Sequence, residues 1–199
     1  MIADEIFLRT ADSNGVEPDK SEALRYLGIK SDEDADFEAL YSCCLKEFKK
    51  AVGYKAVIAP APFELIEKNK VVFPFAEVES ECLNLNLSGA KSAFVFAATL
   101  GTQVDRLIMK YGKAETSKSV VIDAIASAAI EAFCDLVNDE FSAGRSVNHR
   151  YSPGYGDLSL GLQPRILEYL DAQRKLGIVL SNDLFMTPVK SVTAVFGVR

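Results

Sequence analysis

Apolar residues that recur every three or four positions predict a series of helices along this chain. A short helix from Ser21 to Leu27 is expected to end at Gly28, and a second is expected to start at Ser31-Asp32-Glu33-Asp34, where acidic residues favour a helix N-terminus. Thr102 is placed to cap a third helix. The longest helix is predicted from about Thr116 to Phe141, and the small residues along its apolar face are typical of a central packing helix.

Continuous and alternating apolar runs predict strands between these helices. The run from Ala93 to Ala98 is apolar at every position, which is typical of a central strand buried on both faces. Leu83, Leu85 and Leu87 alternate with polar residues and predict a half-buried strand. Further strands are predicted at Tyr54 to Ala59, Val71 to Phe73 and Lys190 to Val198.

The order of these elements favours one α+β domain over residues 1–199. The opening stretch, residues 1–19, is mostly polar and is interpreted as an arm. Pro164 fits the first turn of a last helix, since its fixed backbone angle and missing N–H are tolerated there. That helix is expected to carry Ile166, Leu167, Leu170 and Leu176.

Composition narrows the class of protein. The 199 residues include 22 Lys and Arg against 28 Asp and Glu, which gives a net charge of −6 and argues against a nucleic-acid partner. No window approaches the roughly 20 apolar residues of a membrane-spanning helix, so no membrane partner is expected. The first residues lack the basic and apolar regions of a secretory signal, and a cytoplasmic location is therefore predicted.

Cysteine and histidine are too few and too scattered for the common catalytic sites. The chain has Cys43, Cys44, Cys82, Cys134 and a single histidine, His149. These positions lack the close spacing of a zinc site, and a disulfide framework is not expected without secretion. With neither a nucleophile motif nor a glycine-rich nucleotide loop, the sequence argues against a serine hydrolase and a glycine-loop nucleotide fold.

One loop carries the residues that are best suited to a binding site. Residues 142–163 break the periodicity and contain the segment Arg150-Tyr151-Ser152-Pro153-Gly154-Tyr155-Gly156-Asp157. Arg150 has a planar donor fork that suits a carboxylate, the glycines let the backbone approach a ligand, and the tyrosines can stack or face a cation. Two interpretations stay open: a ligand-binding loop, or a rigid turn tied down by an arginine salt bridge. Glu131, an acid on the long apolar helix, is either solvent-facing or part of the same site.

Arg150, Ser152, Gly154 and Tyr155 form a pattern that resembles the Arg-x-x-x-Gly-Tyr signature of the reactivation domain of cobalamin-dependent methionine synthase. The resemblance covers about residues 80–199 in matching order, and the chain is more similar to the short, free-standing relatives of that domain. It implies an α+β domain with a twisted, mainly antiparallel sheet and flanking helices. The other similar segments are Ala98-Thr99-Leu100-Gly101, Ile130-Glu131-Ala132-Phe133, Gln163 with the helix after it, and Met186 to Val192.

The resemblance implies a role in methionine biosynthesis and a set of site residues. In that family the domain binds S-adenosylmethionine, whose methyl group, with one electron from a flavodoxin-type donor, returns inactive cob(II)alamin to methylcobalamin. By motif, Arg150 would hold the methionyl carboxylate, Ser152 and Gly154 would offer backbone contacts, and Tyr155 would line the pocket. Glu131 would lie near the sulfonium. The chain would then be an accessory part of a methyltransferase system, because the cobalt performs the chemistry.

The sequence also departs from the family, and the departures define the alternatives. Gly156-Asp157-Leu158 stands where the larger enzyme has Pro-Ala-Cys, the chain has no Trp beside an amino-terminal ligand aspartate, and it ends at Arg199 without a further ligand tyrosine. The first hypothesis is a stand-alone reactivation subunit that acts on cobalamin carried by a partner methionine synthase. The second is a capping partner of a corrinoid methyltransferase that does not bind S-adenosylmethionine. The third keeps the ligand but pairs the chain with a different corrinoid protein.

Overall fold

The computed structural model describes residues 2–29 and 35–199. In this part of the chain the strands are β1 (Phe7–Ala11), β2 (Tyr54–Pro60), β3 (Glu64–Ile66), β4 (Lys70–Phe73), β5 (Ala76–Glu79), β6 (Ser92–Thr99), β7 (Val179–Leu180), β8 (Met186–Thr187) and β9 (Ser191–Val198). The helices are α1 (Lys20–Leu27), α2 (Ala35–Ala51), α3 (Glu81–Leu87), α4 (Thr102–Ala114), α5 (Thr116–Ser142), α6 (Gln163–Tyr169) and α7 (Ala172–Leu176).

Four antiparallel strands form the central sheet, in the order β1-β2-β6-β9. Side chains of β6 alternate between two cores: Phe96 and Ala98 belong to one, whereas Val95 and Ala97 belong to the other. All four are fully buried. Because successive side chains of a strand point to opposite faces, a strand covered on both faces is apolar at every position.

Helices α1, α2, α4 and α5 cover one face of this sheet. Helix α5 is the centre of the layer: it is 27 residues long and packs against α1, α2 and α4. Ile122, Ile125, Ala129 and Phe133 of α5 lie in the core beneath it. Its alanines leave room for the backbones of neighbouring helices. Much of the helix is apolar because it is surrounded by these helices.

The opposite face is covered by α3, α6 and α7 together with a small antiparallel sheet, β3-β4-β5. Leu83 and Leu87 of α3 pack there with Ile166 and Leu170 from the α6 region. The strands β7 and β8 form a separate hairpin. The central sheet therefore lies between two layers: α5, which precedes the candidate loop, belongs to the first, and α6, which follows the loop, belongs to the second.

The predicted fold class is confirmed: helices flank an antiparallel sheet in an α+β arrangement. The long helix is confirmed as α5, the apolar run as β6, and the last run as β9. Gly28 ends α1 with a φ of 70°, and Pro164 lies in the first turn of α6. The strands expected at Tyr54 and Val71 are β2 and β4.

Two local predictions were wrong. Leu83, Leu85 and Leu87 lie on helix α3, because Ser80 caps it by accepting a hydrogen bond from the Leu83 N–H at 3.0 Å. Leu83 and Leu87 are four residues apart and both buried, whereas Leu85 between them is exposed, so the outer two leucines satisfy a helical spacing. Thr102 is the first residue of α4, not its cap; Gly101 holds the N-cap position.

Two other boundaries differ from the prediction. The stretch interpreted as an arm contains β1, whose side chains are alternately exposed and half-buried along the edge of the central sheet. An edge strand with one half-buried face contains polar residues, which explains its polar sequence. The last predicted helix is divided at Asp171, with a φ of 50°, into α6 and α7. The helix start predicted at residues 31–34 lies outside the described residues.

Two further findings concern membranes and metals. Among the helices of residues 2–29 and 35–199, none is both long and apolar enough to cross a membrane. The same part of the chain holds no group of three or more His, Cys, Asp and Glu side chains arranged to bind a metal ion.

Candidate functional site

The segment after α5, residues 146–157, is called the arginine loop below. It returns along the free edge of β9 and makes backbone hydrogen bonds with it. The Tyr151 N–H donates to the Val195 carbonyl at 2.8 Å, and the Val195 N–H donates back at 2.9 Å. Nearer its start, the Asn148 N–H donates to the Gly197 carbonyl at 2.9 Å. These bonds hold Arg150 between two points fixed to the sheet.

The far end of the arginine loop is fixed to α3 by Asp157. Its Oδ1 accepts from the Ser80 hydroxyl at 2.5 Å, and its Oδ2 accepts from the Glu81 N–H at 2.7 Å. The hydrogen bond from Ser80, followed by those from the helix backbone, lowers the pKa of Asp157 below its ordinary value of 3.8. The loop is thus attached both to the central sheet and to the layer beside it.

A tight turn between these attachments requires glycine. The Tyr155 N–H donates to the Ser152 carbonyl at 3.1 Å, and the Gly154 N–H donates to the Leu158 carbonyl at 2.8 Å. Gly154 has a φ of 93°, a conformation that side chains disfavour. Gly156 lies against the Tyr151 side chain. A Cβ atom at position 156 would therefore clash with the Tyr151 hydroxyl.

Arg150 extends from the loop to helix α5, where two carboxylates bind it. Its Nη2 donates to Glu131 Oε2 at 2.7 Å, and its Nη1 donates to Asp135. The Arg150 side chain is 18% exposed, against 46% for Glu131 and 68% for Asp135. Burial lowers the pKa of the guanidinium, but the hydrogen bond and charge of Asp135, with the charge of Glu131, leave it raised.

A groove of about 380 Å³ lies between α5 and the arginine loop. Its size is at the lower end of the range for small-molecule sites, about 300–1,000 Å³. Three carboxylates face a single guanidinium in it, so its electrostatic character is acidic. The lining residues are Glu131, Asp135, Asn138, Asp139, Val147, Asn148, His149, Arg150, Ser152, Tyr155 and Val192.

The structure brings most of the predicted site residues together. Arg150, Ser152, Tyr155 and Glu131 all line this groove, although Glu131 and Arg150 are 19 residues apart in sequence. Gly154 does not line it and instead shapes the turn. Tyr155 is 69% exposed and lies at the rim. Arg150 does form salt bridges, with Glu131 and Asp135, and the role of these residues in binding a ligand stays a prediction.

Sequence reasoning missed the rest of the α5 wall. Asp135, Asn138 and Asp139 follow Glu131 by four, seven and eight residues, a spacing that places them on one face of a helix. These residues and Glu131 form a polar stripe along α5. Their spacing is a signal from which the stripe could have been predicted. Val192 could not have been found this way, because it reaches the groove from β9 through tertiary packing.

Comparison with solved structures identifies the class of fold: it is that of a reactivation domain of methionine synthase. The particular match is the MetH reactivation domain bound to AdoHcy, with a TM-score of 0.74 over 98% of this chain and 79% of that chain. The two sequences are 14% identical, and at this level the likeness shows the fold. No family model and no curated protein sequence matches the chain. The resemblance read from the motifs is confirmed at the level of the fold.

Proposed function

We propose that this chain binds S-adenosylmethionine in the groove between α5 and the arginine loop. In this proposal it is a stand-alone reactivation subunit that presents the methyl group to cobalamin carried by a separate methionine synthase. The observation that carries the proposal is the position of Arg150, a mostly buried cation in an acidic groove, on a fold whose solved relative is bound to AdoHcy.

The charges of the groove suit this ligand. S-adenosylmethionine has a carboxylate, an ammonium and a sulfonium, so that its net charge is positive. Arg150 offers the carboxylate a fork of donors, and Glu131 offers the sulfonium a nearby negative charge. Ser152 and the exposed ring of Tyr155 complete the side formed by the loop.

Ligand binding would exchange one of the existing ion pairs. The ligand carboxylate must take a place on Arg150 that Asp135 holds, and the Asp135 side chain is 68% exposed. An exposed ion pair contributes only about 0–1 kcal/mol, so its replacement by the ligand carboxylate costs little. Arg150 is in this way kept in position before the ligand arrives.

The methyl transfer would need no proton. The partner's cobalamin, once reduced by one electron from a flavodoxin-type donor, would supply the electron pair for the new bond to the methyl carbon. The bond between sulfur and that carbon would break with its electron pair left on sulfur, which gives S-adenosylhomocysteine, and this chain would contribute the placement of the methyl group.

Isothermal titration of the purified chain with S-adenosylmethionine tests the binding step. Saturable binding, alone or with a corrinoid-loaded methionine synthase present, supports the proposal. A reactivation assay then follows labelled methyl transfer to cobalamin in the presence of a reductant. Absence of binding under both conditions contradicts the proposal and favours a capping partner of a corrinoid protein, whose Arg150 serves only the ion pairs with α5.

A further inference from the structure

Asn138 is a polar residue of the groove that takes no part in its ion pairs. The residue is 6% exposed and lines the groove from α5. Its Oδ1 is buried without a hydrogen-bond partner among the residues that the structure describes. Nine-tenths or more of buried polar groups in proteins have a partner, because an unpaired one loses its hydration without compensation. An acceptor in this position therefore points to a donor on a ligand.

The surroundings of Asn138 favour a donor that is positively charged. Asp139 is the next residue along the helix, and Asp135 lies three residues before Asn138 on the same face. Side chains three residues apart on a helix have Cβ atoms about 5–6 Å from each other. The Asp135 carboxylate at this distance, together with that of Asp139 on the wall of the same groove, creates a negative potential, which stabilises a cationic donor more than a neutral one.

The position of Asn138 relative to Arg150 is the second part of the argument. Arg150 is bound to Asp135, and Asp135 lies three residues, or about 4.5 Å along the helix axis, before Asn138. The carboxylate and ammonium of an α-amino acid are attached to the same carbon atom. Their protein partners must therefore be near neighbours, as Arg150 and Asn138 are.

We infer that Asn138 Oδ1 accepts a hydrogen bond from the α-ammonium group of the bound ligand, beside the carboxylates of Asp135 and Asp139. This inference rests on the proposed function and adds the group that recognises the amino end of the ligand. When the ligand carboxylate takes the place of Asp135 on Arg150, the Asp135 carboxylate is released next to the ammonium. The groove then binds both charges of the amino acid, and it discriminates against ligands that lack the α-amino group.

The test compares two ligands on two proteins. Wild type and Asn138→Leu are titrated with S-adenosylmethionine and with the analogue in which hydrogen replaces the α-amino group. Loss of a hydrogen bond to a charged group is expected to raise the Kd of S-adenosylmethionine about tenfold or more, with little change for the analogue. Leucine is close to asparagine in size, and it removes an unpaired buried acceptor, so thermal stability is expected to be maintained. Asn138→Ala serves as a second variant.

The possible outcomes separate this inference from the proposed function. If wild type binds neither ligand, the proposed function fails, and the inference fails with it. If wild type binds S-adenosylmethionine but Asn138→Leu and Asn138→Ala bind it equally well, only the inference is overturned. An equal loss for both ligands also overturns it, because Asn138 would then have a structural role. A selective loss for the ligand with the α-amino group supports it.

Discussion

Arg150 and Glu131 are joined by an ion pair of 2.7 Å between Nη2 and Oε2, across 19 residues of sequence. One residue belongs to the arginine loop and the other to the long central helix. Their contact therefore fixes the width of the groove between these two elements. It also means that substituting either residue affects both the charge of the groove and the attachment of the loop.

Arg150→Ala is expected to abolish binding of S-adenosylmethionine and to lower the melting temperature slightly. Both carboxylate partners are more than one-third exposed, so the ion pairs are expected to contribute about 1 kcal/mol. At about 2–4 °C per kcal/mol for a domain of this size, Tm should fall by about 2–4 °C. Arg145→Ala is the control, because Arg145 lies just before the same loop but does not line the groove. Calorimetry that finds unchanged affinity in Arg150→Ala would contradict the assignment.

Glu131→Gln is expected to weaken the binding of S-adenosylmethionine more than the binding of S-adenosylhomocysteine. The two ligands differ by the methyl group and by the positive charge on sulfur, so a nearby carboxylate acts on only one of them. A partly exposed charge pair contributes up to about 1 kcal/mol, which corresponds to a change of about fivefold in Kd. Glu140→Gln is the matched control on α5, since Glu140 pairs with Arg9 at 2.5 Å and lies outside the groove. Equal losses for both ligands would assign Glu131 a structural role.

Gly154→Ala is expected to destabilise the chain through its backbone. Its φ of 93° costs an alanine about 1–2 kcal/mol, so Tm should fall by about 2–8 °C. Gly112→Ala on helix α4 is a close control, because a Cβ atom at either position would have its nearest neighbour at 3.5 Å. Gly112 does not have a positive φ, and alanine there is expected to raise Tm. Thermal unfolding of the two variants separates backbone strain from crowding.

Asp157→Asn is expected to reduce stability at neutral pH and to have less effect in acid. The pKa of Asp157 is lower in the folded chain than its ordinary value of 3.8, because Ser80 and the start of α3 stabilise the carboxylate. Its contribution is therefore complete above pH 3.8 and is lost as the pH falls through the lower, folded value. Unfolding measured across this range should show the difference between wild type and variant shrinking with acidity. Asp183→Asn, at an exposed position, provides the control substitution.

Sequence patterns predicted the elements that have a regular pattern of buried residues. β6 is covered on both faces and α5 is long and periodic, and both were found close to their true bounds. The alternation of Leu83, Leu85 and Leu87 was misinterpreted, because two leucines four residues apart fit one face of a helix as well as one face of a strand. Ser80, the N-cap of α3, is the local signal that distinguishes the two. The second hydrogen-bond partner at this helix start, the Asp157 carboxylate, accepts from the Cys82 N–H across 75 residues and is not visible in local patterns.

Part of the candidate site was likewise predicted from the sequence, and part of it was not. Arg150, Ser152 and Tyr155 were found because they form a compact motif, and Glu131 because the resemblance included its helix. The ion pair between Arg150 and Asp135 was missed, since only the folded chain shows which carboxylates lie within reach of the guanidinium. The unpaired oxygen of Asn138 likewise has no counterpart in sequence, because burial and hydrogen bonding are properties of the fold.

The arginine loop is anchored mainly by groups that do not line the groove. Its attachment to β9 uses the backbone of Tyr151 and Val195, and its attachment to α3 uses Asp157 and Ser80. Side chains that face the groove can therefore be exchanged in combinatorial libraries while the loop keeps its path. The scaffold is in this respect a starting point for engineering receptors of zwitterionic metabolites, in which Arg150 would be retained to bind a carboxylate and the α5 stripe would be varied.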